Sequence, residues 1–109
     1  MKTEFFPLKG SPKDAIYRGA ILRFPAKPPY EKFVEFLVYE HGDEAFGLGL
    51  MVASGYKAGL PARLLPKESL SADKMGIDVG WLAANWSTWV YGDASPDEVL
   101  IASERHIEQ

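Results

Sequence analysis

The chain contains no cysteine. Disulfide staples, thiolate metal sites and a cysteine nucleophile are therefore excluded, and a reducing compartment fits. Histidine is almost missing as well, with His41 at an expected turn and His106 near the end. No apolar run approaches the roughly 20 residues that a membrane-spanning helix needs. The opening Met1-Lys2-Thr3-Glu4-Phe5-Phe6-Pro7 places an acid and a proline where a signal peptide needs an apolar stretch. Internal repeats and low-complexity tracts are absent too. These absences lead us to expect a cytoplasmic protein without a membrane partner.

What is present suits one small domain. At 109 residues and 47% hydrophobic content, the chain is long and apolar enough for a single core. By area scaling, roughly two-thirds of the unfolded surface is buried on folding. The net charge of −3 is unevenly spread, since residues 1–39 sum to +3 and residues 40–109 to −6. An acidic second half disfavours nucleic acid and favours a basic partner, although solubility alone is a plainer reason for it.

Hydrophobic patterning predicts an α+β domain spanning residues 1–109. Residues 1–14, with Pro7, Gly10 and Pro12, read as an extended arm. Ile16 to Phe24 reads as a first strand that Pro25 stops, and Pro28-Pro29 makes the connection that follows rigid. Phe33 to Glu40 alternates Phe33, Leu37 and Tyr39 with Val34, Phe36 and Val38, as in a central strand, with helix as the competing reading. His41-Gly42-Asp43-Glu44 is a hairpin turn leading into a strand from Phe46 to Ala53. Leu60 to Pro66 holds a short fourth strand and Val99-Leu100-Ile101 a last one. The expected architecture is an antiparallel-rich sheet of about five strands packed by one principal helix over about 78–91. For that helix Asp78 is a natural N-cap, and Gly92 sits where a left-handed C-terminal residue belongs. Val79, Trp81, Leu82, Asn85, Trp86, Trp89 and Val90 share one half of the helical wheel and are expected to face the core. Gly47 or Gly49 would let the helix approach the sheet.

None of the candidate chemistries assembles. Ser54 with His41 lacks the glycine spacing of a nucleophile elbow. Glu40-His41-Gly42-Asp43-Glu44 offers hard ligands, but no second cluster completes a metal shell. Gly47-Leu48-Gly49 starts like a dinucleotide fingerprint, yet Val52 stands where its last glycine belongs. The three tryptophans could form a ligand cage or simply a core, and Asn85 among them must find a backbone partner. The residues thus point to a binding protein rather than an enzyme, with no catalytic group, metal or cofactor expected.

Tyr17-Arg18-Gly19-Ala20-Ile21-Leu22-Arg23-Phe24, Ser54-Gly55-Tyr56-Lys57-Ala58-Gly59, Leu65-Pro66-Lys67-Glu68-Ser69, Ile77 to Tyr91 and Ser95-Pro96-Asp97-Glu98-Val99 form a familiar set. Over residues 16–101 they resemble the bacterial immunity protein 45 family, found beside polymorphic toxins. The Gly-Tyr-Lys-Ala-Gly loop and the Trp-Leu-x-x-Asn-Trp-x-x-Trp helix are its distinctive pieces. The resemblance implies a non-enzymatic antidote that binds and blocks a cognate toxin, and it brings no catalytic residues to carry over. Should that toxin be a cationic nuclease, acids on exposed turns would meet it: Glu40, Asp43 and Glu44 at the hairpin and Asp73 before the helix. Tyr56 is the candidate aromatic anchor, beside Lys57, unless both merely fold their loop onto the sheet. Two other readings stand beside this one. The first is a subunit that self-associates through Gly80, Ala83, Ala84 and Ser87; the second is a hydrolase using Ser54 and His41.

Overall fold

A computed structural model describes residues 4–11, 13–28, 31–40, 42–55 and 57–102. In chain order the strands are β1 (Phe6–Pro7), β2 (Ala15–Ile16), β3 (Ile21–Pro25), β4 (Phe33–Tyr39), β5 (Gly49–Val52), β6 (Pro61–Leu64) and β7 (Ile77–Asp78). The helix α1 (Val79–Trp89) and a last strand β8 (Leu100–Ala102) complete the series. Short 3-10 turns cover Lys67–Ser69 and Pro96–Glu98. The architecture is α+β: a six-stranded antiparallel sheet ordered β1-β8-β3-β4-β5-β6, a two-stranded ribbon of β2 and β7, and one main helix.

Local chemistry explains this layout. β3 to β6 are successive hairpins, so each strand pairs with the next in sequence. After β6 the chain crosses one face of the sheet, forms α1, and returns as β8 beside β3. Asp78 caps α1 as expected, its carboxylate accepting from the Trp81 amide at 3.2 Å. An 11-residue helix is marginal alone, so its stability comes from the buried side chains of Val79, Leu82 and Trp86. Trp86 meets Phe24 edge to face at 5.1 Å, and Phe24 meets Phe36 in the same way at 5.0 Å. These aromatic contacts join helix to sheet.

Several expectations need correction. Within the stretch read as an extended arm, β1 pairs with β8 and Leu8 is fully buried. The strand expected over Ile16 to Phe24 is two elements, because the chain turns at Gly19, whose φ is +92°. Ile16 therefore joins the ribbon while Ile21 starts β3. The third strand begins at Gly49 rather than Phe46. Gly92 lies outside the left-handed region; the Val90 and Tyr91 amides close the helix on the Trp86 carbonyl instead.

The tryptophan half-wheel does not all face the core. Trp86 is fully buried, but Trp89 is 38% exposed and packs its ring 6.1 Å from that of Trp81. The sheet covers a narrower stripe of the helix than the apolar residues occupy. Asn85 finds its backbone partner within the helix, donating to the Trp81 carbonyl at 2.9 Å. Nor do the glycines admit the helix. A Cβ on Gly49 would meet the Tyr39 ring, and one on Gly47 would meet Ser69 Oγ at 2.9 Å and the Pro66 carbonyl at 3.0 Å.

Candidate binding groove

That close approach at Gly47 begins the site. The Gly47 amide donates to the Leu65 carbonyl at 2.8 Å, which lays the long β4–β5 connection against residues 65–70. Between them opens a groove of about 550 Å³, floored by Gly47, Leu48 and Leu70. Glu40, Asp43, Glu44 and Phe46 form one wall. Tyr17, Arg18, Lys74 and Met75 form the other. Tyr17 is 45% exposed, Phe46 41% and Met75 70%, an unusual amount of apolar and aromatic surface around one concavity.

Side-chain hydrogen bonds build the second wall. Residues 71–76 fold back on themselves, the Ser71 amide donating to the Gly76 carbonyl at 2.9 Å. Asp73 holds this turn, accepting from Ser71 Oγ at 2.6 Å, from the Met75 amide at 3.0 Å and from the Tyr17 hydroxyl at 2.8 Å. The Ser71 hydroxyl, then the Met75 amide, then the Tyr17 hydroxyl keep the Asp73 carboxyl below its ordinary range. The same bond, aided by desolvation and by the negative charge of Asp73, raises the Tyr17 phenol above its ordinary value. Lys74 adopts φ +65°, the one non-glycine residue among those described in that region. The turn thereby presents Lys74 and Met75 to the groove.

The residues singled out in the sequence separate into two groups. Glu40, Asp43 and Glu44 share one wall of the groove. Asp73 stands behind the opposite wall and fixes Tyr17 there. Lys57 lies elsewhere, partly buried in the β5–β6 loop at the far end of β5, and Tyr56 falls outside the described residues. Asp43 has a local duty too, since its Oδ1 accepts from the Ala45 amide at 2.9 Å. Sequence reasoning missed Tyr17, Arg18, Phe46, Lys74 and Met75. The turn chemistry of Ser71-Ala72-Asp73-Lys74-Met75-Gly76 was the available signal.

Charge on the groove is divided. The carboxylates of Glu40, Asp43 and Glu44 line it, and so do the cations Arg18 and Lys74. Such a groove suits a partner surface with its own charge pattern better than a uniformly basic one. Ser54 Oγ accepts from the Glu35 amide at 2.9 Å and ties the β5–β6 loop to β4, while His41 lies outside the described residues. No group of three or more metal-ligating side chains gathers among the described residues. None of their helices is long and apolar enough to cross a membrane.

The family model for immunity protein 45 matches residues 8–101. Neither a curated protein nor a solved structure matches the chain.

Proposed function

Because the chain belongs to the immunity protein 45 family, we propose that it neutralises a cognate bacterial toxin by binding it, with no chemistry of its own. The family match over residues 8–101 carries this reading. The groove supplies a surface for it, with exposed Tyr17, Phe46 and Met75 as contact area and charged walls for orientation. Interfaces gain most of their affinity from a few aromatic or large apolar anchors, while charge sets approach and register. On this account the toxin presents basic residues to Glu40 and Glu44 and an acidic group to Arg18 and Lys74. A nuclease with a cationic cleft is one toxin that fits the acid wall, and the bacterial cytoplasm is where the two would meet.

Co-expression with the cognate toxin tests the reading. Cells should survive with the wild-type chain and with Ser54→Ala. Met75→Glu, at a largely exposed position, should abolish both protection and capture of the toxin without changing the melting temperature. Full protection by a folded Met75→Glu variant would move the interface away from the groove. Loss of protection by Ser54→Ala with toxin capture intact would revive a catalytic role.

A further inference from the structure

The chain has no thiol, so its oxidisable sulfur is the methionine thioether. Met51 and Met75 are the methionines among the described residues, and their surroundings differ. Met51 is half-buried within β5, where it pairs with Leu37 on β4 and Pro61 on β6. Met75 is 70% exposed, more than any other large hydrophobic side chain described. Its backbone is nevertheless fixed. The Lys74 amide donates to the Ser71 carbonyl at 2.9 Å, the Met75 amide to Asp73 Oδ1 at 3.0 Å and the Gly76 amide to Ser71 Oγ at 3.1 Å. Lys74 holds φ +65°, a conformation that residues with side chains rarely adopt. The turn of residues 71–76 thus keeps an apolar thioether in water, where it lines the groove together with Leu48 and Leu70.

On the reading that the toxin seats in this groove, we propose that Met75 is a modification site for peroxide, and that its oxidation weakens the toxin's hold. A sulfur lone pair attacks one oxygen of hydrogen peroxide, the S–O bond forms and the O–O bond breaks. The proton left on the transferred oxygen passes to the departing hydroxide, which leaves as water. Sulfur is oxidised to the sulfoxide and the peroxide is reduced. No thiol in the chain intercepts the oxidant first. In the free chain the new oxygen stands in water and accepts its hydrogen bonds there, so the fold loses little. Under a bound partner the same oxygen is pressed against the apolar floor of Leu48 and Leu70, and its desolvation opposes binding. Arg18 and Lys74 offer it no free donor once they hold an acidic group of the toxin. Oxidation therefore acts on the complex and spares the free chain, and because sulfoxide reductases reverse it, the site works as a switch.

Hydrogen peroxide added to the purified full chain, followed by peptide mass mapping, reads the site. An added oxygen should appear on Met75 well before Met51. The chain oxidised at Met75, its near-ultraviolet circular dichroism unchanged, should bind the cognate toxin roughly tenfold more weakly. Reductases for both sulfoxide epimers should restore the starting affinity. Each variant is compared with itself before and after peroxide: Met51→Leu should stay sensitive, and Met75→Leu should lose nothing on treatment. Oxidation of Met51 first, or an equal loss in treated Met75→Leu, would overturn the proposal. So would full affinity in the chain oxidised at Met75 while Met75→Glu fails to bind, an outcome that leaves the groove reading standing. Capture of the toxin by a folded Met75→Glu variant would instead remove the groove reading and this proposal together.

Discussion

Asp73 braces the Tyr17 side of the groove from behind and Glu44 lines the groove itself, and their surroundings have little in common. The carboxylate of Asp73 accepts three hydrogen bonds, two from its own turn and one from Tyr17. Glu44 receives none from the described residues and stands exposed. Side-chain length accounts for much of this. An aspartate reaches the backbone two residues on, as Asp73 does with Met75 and Asp43 does with Ala45. A glutamate's longer, freer chain gains less from such a bond and projects its charge into solvent. The aspartates build the walls, and the glutamates supply most of the charge a partner would feel.

Substitutions at two glycines probe this contrast at its largest. A Cβ on Gly76 would lie 2.6 Å from the Ile16 carbonyl and 2.8 Å from the Tyr17 ring, where the ribbon leaves no room to move. Gly76→Ala should lower unfolding free energy by about 3 kcal/mol. Gly42→Ala meets open space but must hold φ +82°, which costs about 1 kcal/mol. Urea titration of both variants reads the difference, and equal losses would break the distinction between a tightly built wall and an open one.

Acid should loosen one wall selectively. The folded-state pKa of Asp73 is depressed. Its contribution is therefore present above the ordinary carboxylate range and is lost as pH falls through the depressed value. Amide exchange at Met75 and Gly76, corrected for intrinsic chemistry, should accelerate on acidification in the wild type. In Asp73→Ala it should be fast at every pH. A wild-type profile that follows Asp73→Ala throughout would contradict the role given to this carboxylate.

The smallest effects concern the acid wall. Asp43→Ala removes the bond to the Ala45 amide and should lower the thermal midpoint slightly. Glu44→Gln should leave it unchanged, because no hydrogen bond is lost. A clear drop for Glu44→Gln would show that this side chain builds structure after all.

Legibility in the sequence followed the range of the interactions involved. The Asp78 cap, the β4 alternation and the short β6 strand rest on neighbouring residues, and all three were readable. Glu40, Asp43 and Glu44, acids beside a glycine in an expected turn, could be grouped from local sequence, and they line one groove. The two-residue strands β1, β2 and β7 exist only through distant partners, Ile101 with Phe6 and Ile77 with Ile16, so no local pattern announces them. The second wall was hidden for the same reason, since Tyr17 meets Asp73 across 56 positions of chain. The tryptophan half-wheel misled because periodicity marks which residues share a helix side, not how much of that side a sheet can cover. Trp89 and Trp86 carry the same signal and end in opposite environments.

Association kinetics between the purified chain and its cognate toxin, followed over a range of salt concentrations, test the central account most directly. Glu40→Lys combined with Glu44→Lys should slow association and flatten its salt dependence while leaving the fold intact. Lys74→Glu should also weaken the complex, because the groove is read as two opposed charges rather than one acidic patch. If both variants associate at the wild-type rate with the wild-type salt slope, the toxin docks elsewhere and the account of the groove is wrong.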